Sequence, residues 1–188
     1  MRAVIGIDEV GRGSWAGPLL VVAARARREL PDGLADSKVL SRKKREELLE
    51  SITETCELGE GWVQPEEIDQ IGISRALKLG VSRALMALGT LVDEPIIMDG
   101  LINYCPAEFI NVKTIVKADA SQPIVSAASI YAKVKRDQHM TRLARFYPNY
   151  KFDQHVGYGT KLHLQLLQKH GVSQIHRRSY KPVKALLA

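Results

Sequence analysis

The chain has 188 residues, 45% hydrophobic and 26% charged, with a formal net charge of +6. That length suits one domain with a substantial core, and the composition is that of a globular protein rather than a disordered or fibrous one. No apolar run approaches the roughly 20 residues of a membrane span, and residues 1–9 are too short and too acidic at their end for a signal peptide.

Residues 4–8 read as a short buried strand running into Gly11-Arg12-Gly13. Residues 19–24 form a second apolar strand, with Pro18 suited to its start. Ser41 is placed to cap an amphipathic helix through about Glu54. Residues 57–64 read as a strand of mixed polarity, and Pro65-Glu66-Glu67 opens a helical stretch. Leu77, Val81, Leu85 and Leu88 give residues 73–88 one apolar helical face. Residues 95–98 predict a strand ending on Asp99-Gly100, and residues 109–116 another, ending near Asp119. A long helix follows over 123–146, small and apolar in its first half, and a last one over 160–170, stopped by Gly171. Strands come first and helices interleave later, which predicts a single α/β domain over residues 1–188 with a mixed sheet.

Acids fall at strand ends. Asp8 and Glu9 close the first strand, Asp99 closes a central one, and Asp119 follows the next. Ligand sites in α/β sheets form beyond the carboxyl ends of strands, so these four acids can converge. Clustered carboxylates repel unless cations lie between them, and hard cations such as Mg²⁺ or Mn²⁺ suit oxygen ligands. Asp8 and Glu9 share a site only if their strand ends or bulges there, because neighbours on a strand face opposite ways. Asp137 competes for the fourth place, but Lys133 four residues earlier makes an ordinary helix ion pair. Any one of these acids, taken alone, is more often a solvated loop residue or helix cap.

Charge is unevenly spread. Residues 113–188 carry 14 Lys/Arg against 3 Asp, a balance of +11, whereas residues 1–112 carry 13 against 18 Asp/Glu, a balance of −5. A basic C-terminal part fits a polyphosphate partner, and its plainer reading is a solvated surface. Cys56 and Cys105 stand far apart, outside any C-x-x-C spacing. They read as reduced thiols, as in a cytoplasmic protein.

Two other classes compete with a metal site. Gly11-Arg12-Gly13-Ser14-Trp15-Ala16 matches the dinucleotide fingerprint G-x-G-x-x-A, which would make this an NAD-dependent oxidoreductase. That motif needs a helix at once, yet Gly17-Pro18 leads into a strand, and Asp8 and Glu9 would oppose a pyrophosphate. A non-catalytic nucleic-acid-binding protein using the basic C-terminal part would need no acids at three strand ends. Gly11 and Gly13 instead let backbone approach a sugar–phosphate chain, or simply make a tight turn.

The stretch from Ile7-Asp8-Glu9-Val10-Gly11-Arg12-Gly13 through Gly17-Pro18 resembles the opening signature of bacterial ribonuclease HII, the type 2 ribonuclease H. Asp36-Ser37-Lys38, Met98-Asp99-Gly100, Lys117-Ala118-Asp119, the segment from Ser126 to Asp137, Gly157-Tyr158-Gly159-Thr160 and the tail from His176 to Tyr180 continue it in the family's order. The resemblance implies a ribonuclease H-like fold, with a mixed five-stranded sheet flanked by helices and C-terminal helical additions. It implies a monomer that hydrolyses the RNA strand of RNA–DNA hybrids and cuts duplex DNA 5′ of single embedded ribonucleotides. Products would carry 5′-phosphate and 3′-hydroxyl ends, as in ribonucleotide excision and RNA primer removal. Asp8, Glu9, Asp99 and Asp119 would hold two Mg²⁺ or Mn²⁺ ions, one activating water and one stabilising the leaving oxygen. Gly11, Arg12 and Gly13 would contact the 2′-hydroxyl and its phosphate, Tyr158 would pack on the next sugar, and Lys38 would meet a phosphate. Ser126 and Ser129 match the family's helix, where packing accounts for their size. Position 159 is glycine where many members have proline, which predicts a looser loop around Tyr158. A start so close to the first strand leaves no room for the extra N-terminal domain of ribonuclease HIII.

Overall fold

Alternating side chains on two long strands divide the molecule into two apolar layers. In the computed structural model, residues 3–35, 37 and 39–187 are described. Lys38, expected as a phosphate contact, lies outside the described residues. Strands β1 (Ile5–Val10), β2 (Leu19–Ala26), β3 (Cys56–Val63), β4 (Ile96–Asp99) and β5 (Val112–Ile115) form one sheet in the order β3-β2-β1-β4-β5. β2 is antiparallel to both β1 and β3, while β4 and β5 run parallel to β1, so the sheet is mixed as expected. The helices are α1 (Arg42–Thr55), α2 (Pro65–Ile71), α3 (Ile73–Leu88), α4 (Ala118–Ser121), α5 (Pro123–Phe146), α6 (Phe152–His155), α7 (Lys161–His170) and α8 (Lys181–Lys184).

Ile5, Ile7, Leu19 and Val21 face Leu77, Val81 and Leu85 of α3. Val10, Leu20, Val22 and Ala24 face the other way, toward Val125 and Ala128 of α5 and Leu48 and Ile52 of α1. Period two on the strands and period 3.6 on the helices supply both layers. A third cluster, including Ala16, Met140, Phe152 and Leu167, ties the far end of α5 and the C-terminal helices to the β1–β2 connection.

Ser41 acts as read, its Oγ accepting the Lys44 N–H at 3.2 Å. Thr160, expected as the first residue of the last helix, instead caps it, its Oγ1 accepting the His163 N–H at 3.1 Å. Expected over residues 109–116, β5 spans only four residues. It is an edge strand paired with β4 alone, and the chain before it turns, with the Phe109 N–H donating to Pro106 O. The single-turn helices α4, α6 and α8 were not anticipated, because four residues are too few to display a helical period.

Candidate active site

The β1–β4 register sets Ile7 opposite Met98, so Asp8 and Asp99 are the next neighbours, at the point where β4 stops. A cleft of about 440 Å³ opens there. Asp8, Glu9 and Asp99 line it, as do the turn 11–13 and Tyr158, all expected. Ser37, Ser129 and Lys133 line it as well. The β1 strand neither bulges nor stops short of Glu9; its ladder with β2 runs through Val10. Asp8 and Glu9 reach one site because the cleft lies across the end of the sheet and is open to both faces.

Asp8 is buried, on the α5 side of the sheet. Its Oδ1 accepts the Glu9 N–H at 2.8 Å. Burial first, then the charges of Glu9 and, more weakly, Asp99 push its carboxyl up to about 8, against hydrogen bonds from Ser129 and the Glu9 amide that favour the carboxylate. Glu9, on the opposite side, has Oε1 3.8 Å from Arg12 Nη1. Asp99 Oδ1 accepts the Ala118 N–H at 2.7 Å, pinning the entry to α4, where Lys117 is left-handed at φ 57°.

Asp119 is one residue beyond that amide and only 3% exposed. It was expected to face the site from the junction of strand and helix, yet it does not line the cleft. Left-handed Lys117 precedes it by two residues, and Ser126 Oγ donates to its backbone carbonyl at 2.6 Å. Asp137 makes the expected ion pair with Lys133, at 3.0 Å, and it is Lys133 that reaches the cleft. Among the described residues, no three Asp, Glu, His or Cys stand close enough to hold an ion alone. A buried carboxyl raised by burial and by a neighbouring acid, as at Asp8, nevertheless fits divalent cations whose shells are completed by water and phosphate oxygens.

The two glycines of the turn differ. Gly11 has φ 86°, and a β-carbon there would collide with the Arg136 guanidinium. Arg136 is fully buried and donates to the carbonyls of Pro18, Val156 and Ala16 at 2.9, 2.9 and 3.2 Å. The protein's own packing therefore requires Gly11. A β-carbon on Gly13 would meet nothing within 4 Å, so the cleft stays open at that position. The Tyr158 ring lies 5.5 Å from Lys133 Nζ and 5.4 Å from Arg136 Cζ. Gly159 does not loosen this loop: the Trp15 indole fills the space a β-carbon would take, and the Thr160 N–H donates to Tyr158 O at 2.8 Å.

Ser129, whose size suits packing, also hydrogen-bonds the Ser37 hydroxyl, with the two Oγ atoms 3.0 Å apart. Its sequence signal was a hydroxyl on the buried face of α5, with Lys133 one turn further on the same face. The dinucleotide reading is excluded, since no helix follows β1; Ala16 bridges to His176 and the chain returns as β2, antiparallel.

The ribonuclease HII family model matches residues 5–183. Ribonuclease HII of Magnetococcus marinus is 45% identical over 100% of this chain and 88% of its own length. That of Coxiella burnetii is 42% identical over 97% of this chain and 90% of its own. Among solved structures, the PCNA:RNase HII complex from Archaeoglobus fulgidus contains a chain 29% identical, with a TM-score of 0.80 and 95% coverage of both chains. The chain belongs to the ribonuclease HII family, metal-dependent endonucleases of RNA–DNA hybrids.

Proposed function

We propose that the chain cuts the RNA strand of hybrids, and DNA 5′ of a single ribonucleotide, with Asp8, Glu9, Asp99 and Asp119 holding two Mg²⁺ or Mn²⁺ ions. The observation that carries this reading is the raised carboxyl of Asp8 beside Glu9 and Asp99 at one end of the sheet. When bound, such ions supply a water of lowered pKa and stabilisation of the leaving 3′ oxygen. Asp8, Glu9 and Asp99 present oxygens to the cleft, and Asp119, buried one residue beyond the amide that Asp99 holds, would add its carboxylate from the start of α4. Ser129 and the Glu9 amide orient the Asp8 carboxylate. Arg12 and the open backbone at Gly13 address the 2′-hydroxyl and its phosphate, and Lys133 gives the cleft a positive charge for the strand. Tyr158 packs on the neighbouring sugar. Products carry 5′-phosphate and 3′-hydroxyl ends.

The chain acts as a monomer, with residues 1–188 as one catalytic domain built on a single five-stranded sheet. Free Cys56 and Cys105 accord with a cytoplasmic setting. The test is cleavage of an end-labelled DNA duplex containing one ribonucleotide, with Mg²⁺, with Mn²⁺ and with chelator. Metal-dependent nicking on the 5′ side of the ribonucleotide is expected, and nicking that persists in chelator, or falls elsewhere, would overturn the reading.

A further inference from the structure

We infer that His163 and His176, which lie outside the cleft, form a positioning relay for Tyr158 and so set the preference for a single ribonucleotide over a long hybrid. This rests on the reading of Tyr158 given above. The partners dictate each tautomer. His176 Nδ1 receives the Ser173 N–H at 3.0 Å, so its proton is on Nε2. His163 Nδ1 is 2.9 Å from Tyr158 O, which can only accept, so that proton is on Nδ1 and Nε2 is an acceptor. The two Nε2 atoms are 3.0 Å apart, one donor facing one acceptor. An unbroken chain thus runs from the Ser173 amide through both rings to the Tyr158 carbonyl. Both histidines are buried, and that burial pushes them down to about 4 and about 3, so both rings are neutral at working pH.

Tyr158 needs such support because of the route by which the chain reaches it. Val156 and Gly157 are both left-handed, at φ 42° and 86°. For a β-branched residue this conformation is strained and persists only when the surroundings impose it. Arg136 holds the Val156 carbonyl, His155 Nδ1 accepts the Gly157 N–H at 3.2 Å, and His163 holds Tyr158 itself. Trp15, which packs on Gly159, also lies on the His163 ring, 5.4 Å between centroids. The backbone of Tyr158 is therefore gripped from the core while its ring faces the cleft. The competing role is packing alone, since both histidines also touch Phe152.

The experiment separates the two. kcat and KM are measured on a duplex with one ribonucleotide and on a long hybrid for His176→Leu, His176→Gln and Tyr158→Ala. His176→Leu keeps apolar volume but removes the donor; His176→Gln restores a side-chain N–H. The relay predicts that His176→Leu lowers kcat on the single ribonucleotide on the order of tenfold more than on the hybrid, with Gln recovering most of the difference. A fall equal on both substrates, beside a selective Tyr158→Ala, overturns the relay and leaves the reading of Tyr158 intact. An unselective Tyr158→Ala overturns both. Should His176→Leu fail to fold, nitrogen NMR of the wild-type imidazoles decides: protons on Nδ1 of His163 and Nε2 of His176 are expected, and the opposite tautomers would break the chain.

Discussion

The Tyr180 hydroxyl donates to the Arg12 carbonyl at 2.5 Å, joining the C-terminal tail to the turn that addresses the 2′-hydroxyl. Buried Arg177 donates to the same carbonyl at 3.1 Å and to the Tyr180 hydroxyl at 2.9 Å. Tyr180→Phe keeps a ring beside the Arg177 guanidinium, now 5.2 Å from its centroid, but removes one of the two donors. A stability loss of about 0.5–1.5 kcal/mol is expected, with kcat/KM several-fold lower on both substrates. Denaturant unfolding and steady-state kinetics check it; wild-type kcat/KM would show that Arg177 alone holds the turn.

Alanine at the two glycines of the turn separates folding from recognition. Gly11→Ala forces a β-carbon into a left-handed position and against Arg136, which ties together three loop carbonyls. It should cost about 1–3 kcal/mol of stability or more. Gly13→Ala should leave stability within about 0.5 kcal/mol and raise KM on the order of tenfold. If Gly13→Ala binds and cleaves as the wild type does, no substrate atom approaches that backbone.

Metal binding should release a proton from Asp8. Its folded-state pKa, about 8, is above the unfolded value, so the metal-free fold loses stability as pH rises from roughly 4 toward 8 and Asp8 ionises. A cation needs the carboxylate, so apparent affinity for Mg²⁺ or Mn²⁺ should rise by up to about tenfold per pH unit between pH 6 and 8, then level off. Asp8→Asn should make the metal-free protein more stable at pH 8 while removing cleavage. Calorimetric titrations in buffers of different ionisation enthalpy read the proton directly, and a pH-independent affinity would contradict the assignment.

Asp99→Asn retains an oxygen able to accept the Ala118 N–H, so the entry to α4 should persist. Cleavage should nonetheless fall at least about a hundredfold, about 2.7 kcal/mol of barrier, with hybrid binding largely kept by the basic surface. Asp119→Asn should also slow the reaction strongly. Asp137→Asn breaks only the Lys133 ion pair, worth a few tenths of a kcal/mol on a helix. Filter binding beside single-turnover kinetics ranks the three, and a slower Asp137→Asn than Asp119→Asn would reverse the roles assigned to them.

The sequence by itself determined what depends on near neighbours. Ser41 and Thr160 cap their helices, Pro65 and Pro123 begin theirs, and the apolar period of residues 73–88 buries one face of α3. Each such signal acts within about one helical turn or along one strand, so it can be read from adjacent residues. The same holds for Asp99, the last residue of β4, and for Asp8 and Glu9, which stand within two residues of the end of β1. Only the tertiary structure decided that Ser129 and Lys133 enter the cleft, that Gly11 serves Arg136 while Gly13 is open, that Trp15 occupies the space at Gly159, and that Asp119 is buried. It alone decided that Arg177 and Tyr180 grip Arg12 across 165 and 168 residues. Buried donors and acceptors must be satisfied, but which partner satisfies them is set when the fold brings distant segments together, and such pairings leave no periodic trace in the chain.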